Sequence, residues 1–200
     1  MKRWDLPEIE DWQGLPAWLR DAVTGYLRVA ISLSKPYAAA APVLAELLRE
    51  SGWNRIVDLA SGGGGPWPEL VEELASALGE PPTVILTDIQ PNQTAATELE
   101  RLPGVTYLRE PVSALEIPPR LEGVRTIFTG LHHFDEEEVR SILRAAQEAR
   151  IPFLAAEATH RSVRGILTTL FVPLLVLGLM PRVRPRRALP LLLTYLPPIM

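Results

Sequence analysis

The sequence predicts an α/β fold built on a doubly wound, mostly parallel β-sheet, with helices ahead of it and an apolar helical tail behind. Three observations lead there. From about residue 54, short β-branched runs alternate with helix-periodic segments, the pattern of βαβ units. The first such run, Arg55-Ile-Val-Asp-Leu-Ala60, passes straight into a glycine-rich turn and then a helix. The 200 residues are 47% apolar and 22% charged, ample for a core and unlike a disordered or collagen-like chain.

Taken in order, residues 15–51 read as helices, with Val43, Leu44, Leu47 and Leu48 as the inward stripe and Gly52 as the stop. Arg55 to Ala60 is a buried strand. Ser61, the glycines 62–65 and Pro66 form the turn. The helix after it repeats Leu70, Leu74 and Leu78 at i, i+4, i+8, with Val71 and Ala75 alongside, and Gly79 ends it. Thr83 to Asp88 is a second strand, followed by a weaker helix near Asn92 to Arg101. Val105 to Arg109 and Val124 to Thr129 are the third and fourth strands. Asp135 with Glu138 three residues on forms a capping box, opening a helix whose apolar face is Val139, Ile142, Leu143 and Ala146. The acids Glu136, Glu137 and Glu138 suit the positive end of that helix and need no other role. Ile151 to Ala156 is the fifth strand. The expected organisation is an N-terminal helical cap (1–53), a sheet domain (54–159) and an apolar, arginine-bearing tail (160–200), without internal repeats.

Charge divides at the same place. The chain is −4 overall, but every acid lies at or before Glu157, so residues 1–159 sum to −10 and residues 160–200 to +6. An acidic domain disfavours nucleic acid as a partner. The absence of cysteine excludes a disulfide framework and thiolate metal ligands. The N-terminus runs from Met1 through Asp5 to Glu8, Glu10 and Asp11 with no apolar stretch, so no secretory signal is read. Gly165 to Met180 is uncharged for 16 residues but contains Pro173, and Arg182, Arg184, Arg186 and Arg187 follow it. A spanning helix needs about 20 apolar residues. The tail is therefore expected as a buried helical pair, with an element at the membrane surface as the alternative. The expected location is cytoplasmic, with peripheral membrane contact through residues 161–200 kept open.

A glycine-rich turn between a first strand and its helix offers backbone N–H groups and a positive helix end at the carboxyl edge of the sheet, where open α/β sheets bind ligands. Neither glycine frame fits the dinucleotide fingerprint, since Gly62-x-Gly64 runs on to Trp67 and Gly63-x-Gly65 to Pro68. No lysine follows, so the turn is not a P-loop. Asp58, at the strand end, would repel a pyrophosphate but suits an ammonium or sulfonium group. Asp88, 30 residues later, closes the second strand where an acid can take both ribose hydroxyls. Together they ask for a nucleoside with a cationic arm, although Asp58 as a solvated strand-end acid and Asp88 as a cap on the Pro91-Asn92 turn are alternatives.

Asp58-Leu-Ala-Ser-Gly-Gly-Gly64 resembles the D/E-x-G-x-G-x-G first motif of class I S-adenosylmethionine-dependent methyltransferases, with Ala60 in place of the usual first glycine. Thr87-Asp88 is similar to the family's second motif, and Thr129-Gly-Leu-His-His-Phe134 resembles its fourth. More narrowly, the run from Asp58 to Trp67, Leu131-His-His-Phe134 and the Leu-rich tail resemble a bacterial subgroup without a settled substrate. The resemblance implies a Rossmann-like fold and S-adenosyl-L-methionine as cofactor, held by Asp58, Ala60, Gly62, Gly64, Asp88, Ile89, Val112, Ser113 and Thr129. It implies methyl transfer to a small-molecule or lipid-like acceptor. Ser113 stands where the family often has an acid for the adenine amine, which takes away one charged acceptor. The family's last two strands form an antiparallel hairpin, and no strand pattern follows Ala156. Either the chain stops short of the subgroup's length, the reading favoured here, or the tail replaces the hairpin.

His132 and His133, as neighbours leaving a strand, are expected to point to opposite sides, so no metal site is expected. One of them either faces the substrate as a general base or donor, or bonds loop backbone. Glu157, closing the fifth strand, is expected at the carboxyl edge, and the catalytic candidates are His132, His133 and Glu157. Trp67 reads as a packed aromatic, with a cation–π contact to the sulfonium as the alternative. The resemblance implies that Tyr26 and Tyr37 could close over the cofactor, with burial as the alternative. A binding module without turnover, a membrane-surface protein and a nicotinamide oxidoreductase are the rival functions.

Overall fold

Five strands, all parallel, form the centre of the computed structural model, which describes residues 35–157 and 174–182. The elements run α1 (Ala40–Ser51), β1 (Arg55–Asp58), α2 (Trp67–Leu78), β2 (Thr83–Leu86), α3 (Gln93–Leu99), β3 (Val105–Tyr107), β4 (Val124–Phe128), α4 (Glu136–Glu148) and β5 (Phe153–Ala156). The strand order is β3-β2-β1-β4-β5. The chain therefore winds outward from β1 to β3, returns to β1's other side, and continues outward through β5. This order, with helices linking all successive strands except β3 and β4, is that of a Rossmann-like parallel sheet, and the order reverses between β1 and β4, where such sheets have their crevice.

Alternation along the strands divides the apolar residues between two clusters. Ile56, Val84, Leu86, Val124 and Phe128 join α1, α2 and α3 through Leu44, Leu48, Trp67, Leu74 and Leu99. Val57, Leu59 and Ile127 join Val112, Leu121 and Ile142 of α4. All five residues of β4 are buried, as expected of a central parallel strand. α1 shares the first cluster with the sheet, so residues 40–48 are built into the same core as the strands.

The inward stripes differ from the sequence reading at two positions. Val43 is 45% exposed, because α1 turns Ala40, Ala41, Leu44, Ala45 and Leu48 to the core. Leu143 is 44% exposed, and α4 buries only Ile142 and Ala146. In both helices alanines share the buried face, and the larger residue lies on the flank. Helix ends match the local signals: Gly52 and Gly79 sit in the left-handed conformation as C-caps, and Asp135 and Glu138 complete the capping box. β1, β2, β3 and β4 end earlier than expected, at Asp58, Leu86, Tyr107 and Phe128; the next residues, Leu59, Thr87, Leu108 and Thr129, each make one last bond to the neighbouring strand before the loops begin. In the tail, residues 174–179 are helical and Met180–Arg182 forms a 3₁₀ turn, with Leu174 62% exposed. No helix among the described residues is long and apolar enough to cross a membrane. Tyr26 and the rest of the tail lie outside the described residues.

Candidate functional site

The glycine-rich turn reverses direction through four positive-φ residues: Ala60 (+53°), Gly62 (+50°), Gly64 (+97°) and Gly65 (+45°). The glycines serve different ends. A Cβ on Gly64 would lie 2.3 Å from Leu99 Cδ1, so Gly64 lets α3 pack beneath the turn. A Cβ on Gly62 would meet nothing within 4 Å, so the backbone there borders open space into which a ligand can come close. Ala60 carries a side chain in the left-handed region, a strain of about 1–2 kcal/mol. The turn is closed by Gly64 N–H donating to Ser61 O (2.7 Å) and Trp67 N–H donating to Gly64 O (3.1 Å).

Asp58 lies beneath this turn and is only 2% exposed. Its Oδ1 accepts from Thr126 Oγ1 and its Oδ2 from Ser61 Oγ, both at 2.6 Å, so it joins β1 to β4 across the crevice and fixes the first residue of the turn. Thr87 Oγ1 donates to the Asp58 carbonyl at 2.8 Å. Burial pushes the Asp58 carboxyl up to about 6, against the hydrogen bonds from Ser61 and Thr126 and a weaker influence of Trp67, whose Nε1 lies outside hydrogen-bond geometry. Asp58 therefore reaches the crevice through Ser61 and through its charge.

Asp88 clamps the turn from the β2 side. Its Oδ2 accepts from Gly62 N–H (2.8 Å) and its Oδ1 from Gln90 N–H (2.7 Å). Its backbone carbonyl accepts from Val112 N–H at 2.9 Å, which draws the segment after β3 alongside. Ile89, 59% exposed, projects beside it as an apolar surface at the sheet edge. Ser113 Oγ accepts from Leu115 N–H at 3.2 Å, and Ser113 pairs with Glu116 in an isolated bridge. Tyr107 OH donates to Gly62 O at 2.8 Å, so Gly62 is held on both its N–H and C=O sides.

The loop after β4 forms the opposite wall. Thr129, at φ +49°, donates its N–H to Ala156 O (2.8 Å), and a Cβ on Gly130 would lie 3.3 Å from the Ala60 Cβ. The two loops thus meet at Ala60 and Gly130. Glu157, its side chain 27% exposed, turns into the β4 loop: Oε1 accepts from Leu131 N–H (2.8 Å) and Gly130 N–H (3.1 Å), and Oε2 lies 3.0 Å from His132 Nδ1. Burial pushes Glu157 up, but His132 and the two amides outweigh it and hold the carboxyl below its ordinary range.

The histidines differ from expectation. Leu131–His133 is a 3₁₀ turn, and the two rings face each other with centroids 4.2 Å apart and planes tilted by 38°. Successive 3₁₀ residues rotate by roughly a third of a turn rather than alternating, which permits this stacking. Among the described residues no group of three or more His, Asp or Glu is arranged to hold a metal. Tyr37 is 5% exposed and packs edge-on against Phe128, which packs edge-on against the fully buried Trp67. Both aromatics are core residues.

The structure gathers Asp58, Ala60, Gly62, Asp88, Ile89, Val112, Ser113, Thr129, His132 and Glu157 in the loops at the carboxyl edge of the sheet, with His133 stacked on His132. Sequence reasoning missed Ser61, Thr87, Thr126 and Tyr107. The available signal was polar residues inside or ending apolar strand runs, because a buried hydroxyl needs a partner. A shallow hollow elsewhere, between Lys35, Tyr37 and Glu69 of α2, lies outside the crevice. Comparison with protein-family models, curated proteins and solved structures finds no match to this chain.

Proposed function

We propose that the chain is an S-adenosylmethionine-dependent methyltransferase on a doubly wound, Rossmann-like sheet, acting on a small-molecule or lipid-like acceptor. The observation that carries this reading is the Asp88 carboxylate bonded to the Gly62 amide at 2.8 Å, beside Ile89 and the Val112-Ser113 segment. An acid, an apolar surface and an open glycine backbone at the reversal of strand order suit a ribose, an adenine and a short polar arm respectively. The fit rests on the room beyond Gly62 and on the buried negative charge of Asp58, which favours a cation in the crevice. When bound, the cofactor would supply a methyl group already activated on sulfur.

The chain's own residues then have to bind, align and exclude water. Asp88, held in place by the Gly62 and Gln90 amides, orients the ribose. Ile89 and Val112 flank the base. Asp58, through Ser61 and Thr126, keeps turn and crevice in register. The loop after β4, with His132, faces the acceptor. A thermal-shift screen with S-adenosylmethionine, S-adenosylhomocysteine and NAD tests the assignment. Stabilisation by the first two is expected, and stabilisation by NAD alone overturns it.

Ser113 favours a second reading. Its hydroxyl oxygen already accepts from Leu115 N–H, which leaves the adenine amine without the family's acidic acceptor and suits a weak or inactive cofactor-binding module. Cofactor binding without methyl release from any acceptor would select it. Peripheral membrane contact rests on the exposed Leu174 and Leu175 and on the tail arginines. Cosedimentation with anionic vesicles, lost when Arg182, Arg184, Arg186 and Arg187 become Gln, tests that contact.

A further inference from the structure

Glu157 does more than close a loop. Its Oε1 is fixed by two amides, Gly130 and Leu131, and this sets the plane of the carboxylate so that Oε2 faces His132 Nδ1 at 3.0 Å. The carboxyl is held below its ordinary range, so at neutral pH it is ionised and accepts only. The ring nitrogen facing it must therefore carry the proton, which puts the lone pair of the neutral imidazole on Nε2. A histidine with a purely structural task would bond its loop's backbone; here Nδ1 is engaged by a carboxylate from another strand, and the loop amides go to that same carboxylate. His132 also sits two residues from Gly130, which packs against Ala60 of the cofactor turn. Among the described residues His133 also lies against the ring, stacked at 4.2 Å, and it limits the ring's rotation.

We propose that Glu157 is a positioning residue that holds His132 as a proton acceptor through Nε2, and that the methyl acceptor is a protic nucleophile, a hydroxyl or an amine. This rests on the methyltransferase reading and deepens it. The acceptor's lone pair forms the bond to the methyl carbon, the electron pair of the breaking C–S bond stays on sulfur, and the acceptor's proton passes to Nε2. The positive charge lost from sulfur reappears on the imidazolium, 3.0 Å from the Glu157 carboxylate. Thioethers, tertiary amines and halides have no proton to lose and gain nothing from this arrangement. His133, stacked on this ring, helps to fix its orientation.

Glu157→Gln discriminates sharply. The glutamine oxygen satisfies the two amides, its NH₂ then faces Nδ1, and the ring must accept there and carry its proton on Nε2. The test is long-range ¹H–¹⁵N NMR of the full ¹⁵N-labelled chain at pH 8, with His132 assigned through His132→Asn. Wild type is expected as the Nδ1–H tautomer and Glu157→Gln as the Nε2–H tautomer. An Nε2–H wild type, or a tautomer unchanged by the substitution, overturns the positioning role without touching the cofactor assignment. Turnover is then read with S-adenosylmethionine on phenols, catechols and primary amines against iodide and dimethyl sulfide. The expected result is turnover of protic acceptors only, with kcat about 100-fold or more lower in Glu157→Gln and His132→Asn and cofactor KM unchanged. Turnover of aprotic acceptors alone, or protic turnover unaffected by His132→Asn, overturns the acceptor class. Failure of S-adenosylmethionine to bind in calorimetry sinks the methyltransferase reading itself, while the tautomer measurement still stands.

Discussion

Replacing Asp58 by Asn should make the protein more stable at neutral pH, and the gain should vanish in acid. Burial raises the carboxyl from its ordinary 3.8 to about 6. Below pH 3.8 both folded and unfolded states are protonated and the group contributes no penalty. Between pH 3.8 and about 6 the unfolded chain has lost the proton while the native state keeps it, so stability falls as pH rises, by about 1.4 kcal/mol per pH unit. Above pH 6 the penalty is complete, about 3 kcal/mol over roughly two units. Asparagine never ionises, but its NH₂ must find an acceptor where Ser61 and Thr126 now donate, at a cost of about 1 kcal/mol. The variant should therefore be level with or slightly below wild type at pH 4, and about 2 kcal/mol above it at pH 7.5, or roughly 4–8 °C in Tm for a chain of this size. Urea denaturation at pH 4, 5, 6, 7 and 8 with equal m values gives the comparison directly. A stability difference that stays flat from pH 4 to 7.5 would refute the reasoning, because Asp58 would then titrate as an ordinary surface acid. Under the proposed function the Asp58 charge serves the crevice, so affinity for the proposed cofactor should fall as stability rises.

Gly64→Ala should destabilise by about 2–4 kcal/mol, combining the clash with Leu99 and the left-handed φ. Gly62→Ala should cost only about 1 kcal/mol and act mainly on ligand binding; equal losses in chemical denaturation would contradict the division of roles. Ala60→Gly should relieve strain and raise Tm by about 2–4 °C, and a lowered Tm would refute the strained reading of φ +53°. Tyr107→Phe removes the bond to Gly62 O and should cost about 1 kcal/mol, with faster amide exchange across residues 61–65; unchanged exchange there would show that the turn does not depend on Tyr107.

The strands and helix ends were legible in the sequence because their signals are local. Gly52, Gly79 and the Asp135/Glu138 box each act within one turn of chain, and the β-branched runs at 55–58, 83–86 and 124–128 alternate with clear helical periods. Asp58, Asp88 and the glycines were legible as a group because a strand–turn–helix fixes where they stand. What the sequence hid was long-range or conformational. Thr126 reaches Asp58 across 68 residues, and Tyr107 reaches Gly62 across 45, pairings that no local pattern announces. The His132–His133 stack depends on a 3₁₀ turn where a strand exit was expected. Val43 and Leu143 were misjudged because hydrophobicity alone picks large residues for the core, whereas both helices turn alanines inward and leave these residues on the flank.

The proposed cofactor site is tested most directly by calorimetric titration of S-adenosylmethionine and S-adenosylhomocysteine into the full chain, with Asp88→Ala as the paired variant. Losing one charged hydrogen-bond acceptor for the ribose, and the clamp on Gly62, should weaken both ligands by about tenfold to a hundredfold, about 1.5–3 kcal/mol. Measurable binding to wild type with that loss in the variant is the predicted result. Binding unchanged by Asp88→Ala, or no binding of either ligand to a folded wild-type protein, would contradict the site described for this crevice.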